Sequence, residues 1–223
     1  MKVFSVQKIL FDLDGTLVDT AADLHAATNH ALRIASRPDV PLSSVRHLVG
    51  FGSLRLIKEG LKLTGGSEGI DSTNLQKEFL DFYTDNIAVH SAPYPYCVQT
   101  LTDLKGKGFE LAVCTNKPER MAKSLLSELD LLKYFGAIVG GDSLPYKKPD
   151  ARHLQDTATL LTGTGPTLMV GDASPDILGA KAANMPVVAV SYGFADTDIK
   201  ALEPDMIIES LAILPDVVSL QSV

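Results

Sequence analysis

Cysteine, positive charge and long apolar runs are all scarce in this sequence. Its two cysteines, Cys97 and Cys114, cannot form a disulfide framework, and the apolar run around Cys114 favours a buried, reduced thiol. Lysine and arginine number 20 against 27 aspartates and glutamates, and the formal net charge of −7 disfavours nucleic acid or an anionic membrane as a partner. A protein of this charge that binds phosphate must concentrate positive charge locally, through a metal ion or a few lysines.

The chain also lacks the features of an exported or membrane-bound protein. No apolar stretch approaches the roughly 20 residues that a membrane span needs, and Met1–Gln7 is too short and too mixed for a signal peptide. We therefore expect a cytoplasmic protein without a membrane partner. Its 223 residues, 45% of them hydrophobic, are enough to bury a globular core.

Short apolar runs that predict β-strands alternate with helical patterns in the second half of the chain. The predicted strands are Phe109–Cys114, Ala137–Val139, Thr167–Val170, Val187–Val190 and Met206–Ile208. The helical patterns between them are Pro118–Leu129, Asp150–Thr162 and Ser174–Ala183. This alternation predicts an α/β fold, in which helices cover both faces of a parallel sheet.

A further strand is predicted near the N-terminus, at Lys8–Leu13, and a long helical stretch follows it. The first helix of that stretch has Thr20 as its predicted N-cap, with Asp23 three residues later as in a capping box. Because the N-terminal strand is needed to complete the sheet, we interpret the helical stretch as an insertion. The predicted division is an α/β catalytic core of residues 1–16 and 94–223 and a helical cap of residues 17–93.

Four short polar segments are candidates for chemistry, and three of them come directly after a predicted strand. They are Asp12–Leu17 (DLDGTL), Thr115–Pro118 (TNKP), Lys148–Asp150 (KPD) and Gly171–Asp176. Ligands of an open parallel sheet bind beyond the carboxyl ends of its strands. We therefore expect these distant segments to meet at one site.

The carboxylates of Asp12, Asp14 and Asp172 would repel one another at such a site unless a cation neutralised them. Oxygen ligands of this kind suit a hard divalent cation, of which Mg²⁺ is the best match. A phosphate dianion adds further repulsion, about 1 kcal/mol per charge pair in water at 4 Å and roughly 4 kcal/mol at a protein surface. The sequence therefore predicts a magnesium site.

Groups that bind phosphate are predicted beside the carboxylates. Thr115 and Asn116 offer a hydroxyl, an amide and backbone N–H groups at a strand-to-helix turn, which is a favourable place for an anion. Lys148 supplies a positive charge that holds the phosphate and keeps a nearby carboxylate ionised. Lys147 is the alternative lysine, but Lys148 directly precedes Pro149 and is preferred.

Together these segments resemble the haloacid dehalogenase superfamily of phosphatases, over nearly the whole chain. The resemblance implies a Rossmann-like core under an inserted helical cap. It also implies that Asp12 is the nucleophile that forms an aspartyl-phosphate, and that Asp14 is the general acid and base. By the same resemblance Thr115 and Lys148 bind the transferring phosphoryl group.

The resemblance extends to the metal and to the substrate. Asp12, the backbone carbonyl of Asp14 and Asp172 would hold Mg²⁺, with Asp176 as a ligand or as a partner of one. More narrowly, the chain is similar to phosphoglycolate phosphatases, which implies a small phosphorylated acid such as 2-phosphoglycolate as the substrate. The segments that carry this likeness are Thr115–Pro118, Gly140–Pro145, Lys148–Asp150 and Val49–Leu54. One hypothesis is that Arg55 or backbone amides of residues 49–55 contact the carboxylate; the alternative, which we favour, is that Arg55 is a solvated helix residue.

Several other functions agree with parts of this pattern. Phosphatases of sugar phosphates or of N-acetylmuramate 6-phosphate share much of it, and so does a phosphomutase that excludes water. A hydrolytic dehalogenase would need neither Asp14 nor Asp172, whereas an inactive phosphate- or partner-binding module would need neither Asp12 nor Asp14. The sequence does not predict an oligomeric state.

Overall fold

The computed structural model of the protein describes residues 2–50 and 52–221. Its α-helices are α1 (Ala21–Ile34), α2 (Ser53–Leu63), α3 (Ser72–Asp85), α4 (Cys97–Gly106), α5 (Glu119–Glu128), α6 (Ala151–Thr159), α7 (Ser174–Ala182) and α8 (Leu214–Val217). Its strands are β1 (Phe4–Val6), β2 (Lys8–Phe11), β3 (Val18–Asp19), β4 (Ala92–Pro93), β5 (Glu110–Cys114), β6 (Ala137–Val139), β7 (Thr167–Gly171), β8 (Val187–Val190), β9 (Met206–Ile208) and β10 (Val218–Leu220).

The main sheet has six strands in the order β6-β5-β2-β7-β8-β9, and every neighbouring pair is parallel. Phe11, the last residue of β2, lies beside Val113 of β5 on one side and Val170 of β7 on the other. The three central strands therefore end at the same level. This placement brings the residues that follow them to one edge of the sheet and confirms the predicted α/β fold.

Both faces of the sheet are covered, because successive side chains of a strand point to opposite faces. In β2, Ile9 and Phe11 belong to the apolar cluster that includes α4 and α5, whereas Leu10 belongs to the cluster that includes α6 and α7. All four residues of β2 are buried. The sheet is thus a rigid support for the loops at its edge.

Helices α1, α2 and α3 come between β3 and β4 in the sequence, and they pack on one another. The two strands form an antiparallel ribbon in which Val18 pairs with Pro93 and Asp19 pairs with Ala92. We call residues 20–91 the cap. The exact division into a cap of residues 17–93 and a core of residues 1–16 and 94–223 stays a prediction.

Thr20 occupies the predicted N-cap position of α1, but the predicted capping hydrogen bonds are wrong, because the Thr20 side chain makes none. The Asp23 carboxylate instead accepts hydrogen bonds from the backbone N–H of His90 at 3.0 Å and of Ser91 at 2.8 Å. The chain that returns from the cap at His90 and Ser91 binds this carboxylate in place of the helix N-terminus. A local sequence pattern does not predict such a long-range contact.

The search for membrane-spanning helices gives a negative result. Among the described residues, every helix is too short or too polar to cross a bilayer.

Candidate active site

Asp12 is held at the end of the central strand β2. Its backbone N–H donates to the Val170 carbonyl oxygen at 2.9 Å, and its side chain is buried. The Lys148 Nζ lies 2.9 Å from Asp12 Oδ1, which is an ion-pair distance. The geometry is not that of a hydrogen bond, and Asp12 Oδ1 accepts none from the described residues. This buried oxygen is therefore free to meet a ligand.

Two further carboxylates lie beside Asp12, on the loop that follows β7 and on the first turn of α7. One oxygen from each of Asp12, Asp172 and Asp176 falls within 4.8 Å of the others, and all three residues are buried. Burial and the negative charges of Asp12 and Asp176 raise the pKa of Asp172 well above its ordinary value. Three buried oxygen donors at this spacing fit a hard divalent cation.

Lys148 lies between Asp12 and Asp176, as its position before Pro149 predicts. Its Nζ donates to Asp176 Oδ1 at 2.6 Å. Burial alone would lower the pKa of Lys148, but the charges of the two carboxylates outweigh burial and raise it. Lys147, the alternative, is exposed on the surface. The structure therefore brings Lys148, and not Lys147, into the carboxylate cluster.

The Asp172 carboxylate is fixed by hydrogen bonds to both of its oxygens. Thr16 Oγ1 donates to Oδ1 at 2.7 Å, and the backbone N–H of Phe194 donates to Oδ2 at 2.7 Å. Two glycines give it room, since a Cβ at Gly15 would lie 2.4 Å from Oδ2 and a Cβ at Gly193 would lie 2.4 Å from the Asp172 Cβ. Gly15 also has φ of +89°, which disfavours any other residue.

Asp176 serves the helix as well as the cluster. Its Oδ2 accepts the backbone N–H groups of Asp172 at 3.2 Å and Ala173 at 3.1 Å, so it caps the start of α7. Burial raises its pKa to about 6, against the opposing effect of the Lys148 charge. Pro175 lies in the first turn of α7, where proline is tolerated.

Asp14 has a different partner from the other carboxylates. Its two oxygens accept from Lys117 Nζ at 3.0 and 3.2 Å, and the same ammonium donates to the hydroxyl of Tyr83 at 2.6 Å. The ammonium also lies 4.4 Å from the centre of the Tyr83 ring. Burial raises the pKa of Tyr83 to about 12. The carboxylate of Asp14 is thus tied to the cap through one lysine.

Thr115 and Asn116 lie at the turn after β5, as predicted. The Thr115 side chain is buried, and its hydroxyl accepts the backbone N–H of Lys117 at 3.3 Å. Asn116 Nδ2 donates to the carbonyl oxygens of Gly50 at 3.3 Å and Lys148 at 3.1 Å. Asn116 Oδ1 is buried and has no hydrogen-bond partner among the described residues. Asn116 therefore links Gly50 of the cap to Lys148 of the core, and its side-chain oxygen remains a buried acceptor without a partner among the described residues.

A cavity of about 40 Å³ lies beside Asp14, between the cap and the core. Its described lining is Asp14, Leu24, Gly50, Gly52, Ser53, Leu56, Phe79, Leu80, Tyr83, Asn116, Lys117, Pro118 and Met121. Arg55 is exposed and lines a separate groove with Lys147. Gly52 and Ser53, rather than Arg55, therefore line this cavity. Phe51, which belongs to the cap stretch quoted above, lies outside the described residues.

Comparison with known protein families gives the decisive match. The model of the haloacid dehalogenase-like hydrolase family matches residues 9–190, which include every candidate site residue. The chain belongs to the haloacid dehalogenase-like hydrolase family. Together with the relatives described next, this match confirms the prediction of a phosphatase of this superfamily that is similar to phosphoglycolate phosphatases.

Individual relatives of this haloacid dehalogenase-like hydrolase agree with the family match. A phosphoglycolate phosphatase of Agrobacterium fabrum is 41% identical over 92% of the chain and 89% of the relative. One of Caulobacter vibrioides is 39% identical over 93% and 88%. The crystal structure of a predicted phosphoglycolate phosphatase from Haemophilus somnus superposes with a TM-score of 0.85 at 30% identity, covering 95% of this chain and 97% of that one.

Some residues of this haloacid dehalogenase-like hydrolase site were not assigned a role from the sequence. Lys117 and Thr16 lie inside two of the four candidate segments, so a role in the site could have been assigned to them from the sequence. Tyr83 and Phe194 lie outside every segment, and their contacts depend on how the cap and a distant loop pack. Only Lys117 had a signal in the sequence, because it lies in a segment predicted to meet the aspartates, whose buried negative charges need cations nearby.

Proposed function

We propose that the chain is a Mg²⁺-dependent phosphomonoester hydrolase that acts on a small phosphorylated acid such as 2-phosphoglycolate through an aspartyl-phosphate. The observation that carries the proposal is the state of Asp12 Oδ1. This oxygen is buried at the end of the central strand, makes no hydrogen bond to the described residues, and lies 2.9 Å from the Lys148 ammonium. A carboxylate so placed can attack phosphorus.

The proposed reaction has two steps. In the first, a carboxylate oxygen of Asp12 bonds to phosphorus, the bond from phosphorus to the leaving oxygen breaks, and Asp14 gives its proton to that oxygen. In the second, Asp14 takes a proton from water as the water oxygen attacks the aspartyl-phosphate, which releases phosphate and restores Asp12. Lys148 and Thr115 hold the phosphoryl oxygens throughout.

The carboxylate cluster supports the metal requirement. Asp12, Asp172 and Asp176 would hold Mg²⁺, and the backbone carbonyl of Asp14 is proposed as a further ligand. When bound, the cation neutralises the charge that three carboxylates and a phosphate bring together. The fit follows from the donors, since three buried carboxylates next to a single lysine ammonium leave an excess of negative charge.

Two observations support a small substrate. The cavity of about 40 Å³ beside Asp14 is lined by residues of both the cap and the core, so the cap limits the size of the leaving group. The relatives at 39–41% identity are phosphoglycolate phosphatases. Backbone groups at Gly52 and Ser53 lie at the N-terminus of α2, where the helix dipole favours an anion such as the substrate carboxylate.

A competition assay tests the proposed function. The kcat/KM for 2-phosphoglycolate is compared with that for a hexose 6-phosphate, N-acetylmuramate 6-phosphate and a nucleoside monophosphate, each with Mg²⁺. We expect 2-phosphoglycolate to exceed the others by about tenfold or more, because a cavity lined by both cap and core discriminates by transition-state positioning. If a sugar phosphate wins by that margin, the assignment to phosphorylated acids is wrong, although the chemistry of Asp12 stands.

A further inference from the structure

Lys117 is the only cationic residue among the described residues that line the cavity beside Asp14. Its side chain is 3% exposed, so the charge cannot serve the protein surface. A lysine ammonium is seldom buried without a task, because removal from water costs several kcal/mol per ion. The charge lies in the wall of the cavity, beside the carboxylate of Asp14.

The three N–H donors of the Lys117 ammonium are all engaged in the described structure. Both oxygens of Asp14 accept from it, at 3.0 and 3.2 Å, and the hydroxyl of Tyr83 accepts at 2.6 Å. The Tyr83 oxygen accepts from Lys117, so its own hydrogen is available, and no other hydrogen bond of this hydroxyl is present among the described residues. One available donor, the Tyr83 hydroxyl, therefore lies beside the positive charge of Lys117 on the same side of the cavity.

The charges around the cavity call for such donors. A substrate carboxylate that enters beside Asp14 gives up part of its hydration, and a buried charge needs an opposite charge nearby. Lys117 supplies that charge whether Asp14 is ionised or holds the proton that it gives to the leaving group. The remaining wall is largely apolar, which strengthens the attraction; its apolar side chains are Leu24, Leu56, Phe79, Leu80, Pro118 and Met121.

We infer that the Lys117 ammonium and the Tyr83 hydroxyl bind the carboxylate of the substrate, and that they select phosphorylated acids over neutral phosphate esters. The inference rests on the proposed function, whose substrate class it explains. Lys117 is thus a specificity residue contributed by the core, and Tyr83 is its partner from helix α3 of the cap. The cap completes the carboxylate site only when Tyr83 packs against Lys117.

The test compares 2-phosphoglycolate with 2-hydroxyethyl phosphate, which has a hydroxymethyl group in place of the carboxylate. The ratio of the two kcat/KM values is measured in the wild type, in Lys117→Met, in Tyr83→Phe and in the control Lys123→Met. Lys123 is a half-exposed lysine of α5 that pairs with Glu119, outside the cavity. We expect the ratio to fall by about tenfold or more in Lys117→Met, the loss expected for a charge-assisted hydrogen bond, by less in Tyr83→Phe, and not at all in Lys123→Met.

Other outcomes distinguish a Lys117 that binds the substrate carboxylate from a Lys117 that only orients Asp14. If Lys117 only orients Asp14, both substrates lose activity by the same factor and the ratio is unchanged, which overturns the inference. If Lys117→Met does not fold, as judged by its thermal unfolding, the ratio in Tyr83→Phe decides, because a fall supports the inference and an unchanged ratio overturns it. A wild type that does not prefer 2-phosphoglycolate contradicts the proposed function itself, before any variant is compared.

Discussion

The backbone N–H of Phe194 donates a 2.7 Å hydrogen bond to Oδ2 of Asp172, across 22 residues of sequence. The loop after β8 therefore fixes the orientation of a carboxylate that follows β7. Outer partners of this kind decide how well a carboxylate can serve a cation. The contact requires close approach of the two backbones, which Gly193 allows.

The substitution Gly193→Ala should disturb Asp172. The new Cβ would lie 2.4 Å from the Asp172 Cβ and 2.5 Å from Oδ2, so one of the two loops must shift. We expect the Mg²⁺ concentration for half-maximal activity to rise about tenfold or more. The control is Gly106→Ala, where no atom lies within 4 Å of the new Cβ. Equal metal dependence in both variants would contradict this role of the loop.

The nucleophile is tested by Asp12→Asn. An amide cannot attack phosphorus, so turnover should fall by more than about a thousandfold, the scale seen when a catalytic nucleophile is removed. The circular dichroism spectrum should be unchanged, since the substitution keeps the shape of the side chain. Activity within tenfold of the wild type would refute a covalent mechanism at Asp12.

Metal dependence should be visible without an activity assay. Because three like charges are buried together, Mg²⁺ should raise the melting temperature of the wild type by several degrees over a sample in EDTA. Asp172→Asn should lose this increase, whereas Asp85→Asn, at an exposed position of α3, should keep it.

Activity should disappear with EDTA. It should return with Mg²⁺, and only poorly with Ca²⁺, whose looser coordination shell suits the site less. Full activity after exhaustive chelation would favour a metal-free mechanism.

The two thiols give a pH-dependent prediction. Burial raises the pKa of both Cys97 and Cys114 to about 12, from an ordinary value of 9.0. Because the folded pKa is the higher one, this contribution to stability is complete below pH 9 and is lost as the pH rises towards 12. The free energy of unfolding should fall by at most about 1.4 kcal/mol per pH unit for each thiol above pH 9. Denaturant titrations at several pH values measure this loss.

Alkylation with iodoacetamide provides an independent check on the thiols. Both cysteines should react slowly at pH 8 in the folded protein and rapidly in denaturant, because the reactive form is the thiolate. Rapid labelling of either cysteine in the folded protein would contradict the assigned burial.

The sequence predicted the site where each residue directly follows a buried strand. Asp12, Thr115 and Asp172 come after β2, β5 and β7, and the parallel order of these strands was enough to bring them together. For these three residues a short apolar run carried the information. Lys148 follows no such run, and it was preferred because its charge suits a carboxylate cluster and because it directly precedes Pro149.

Contacts between the cap and the core were not predictable in this way. Tyr83 reaches Lys117 across 34 residues, and its own helical pattern only indicates a buried face. The same limit applies to the pairing of β1 with β10, in which three-residue strands from the two ends of the chain meet, for example Phe4 beside Val218. Periodicity describes one element at a time, whereas these contacts depend on how two elements pack.

The ribbon formed by β3 and β4 has a consequence for the variety of this enzyme family. Val18 pairs with Pro93 and Asp19 with Ala92, so the chain departs from and returns to the sheet at neighbouring positions, about 5 Å apart. An insertion anchored at two adjacent points adds no constraint on the registers of the six parallel strands. Segments of other lengths and shapes could be exchanged at this junction by recombination, while the phosphoryl-transfer residues keep their places. Substrate range and reaction chemistry are therefore free to change independently over the history of such a fold.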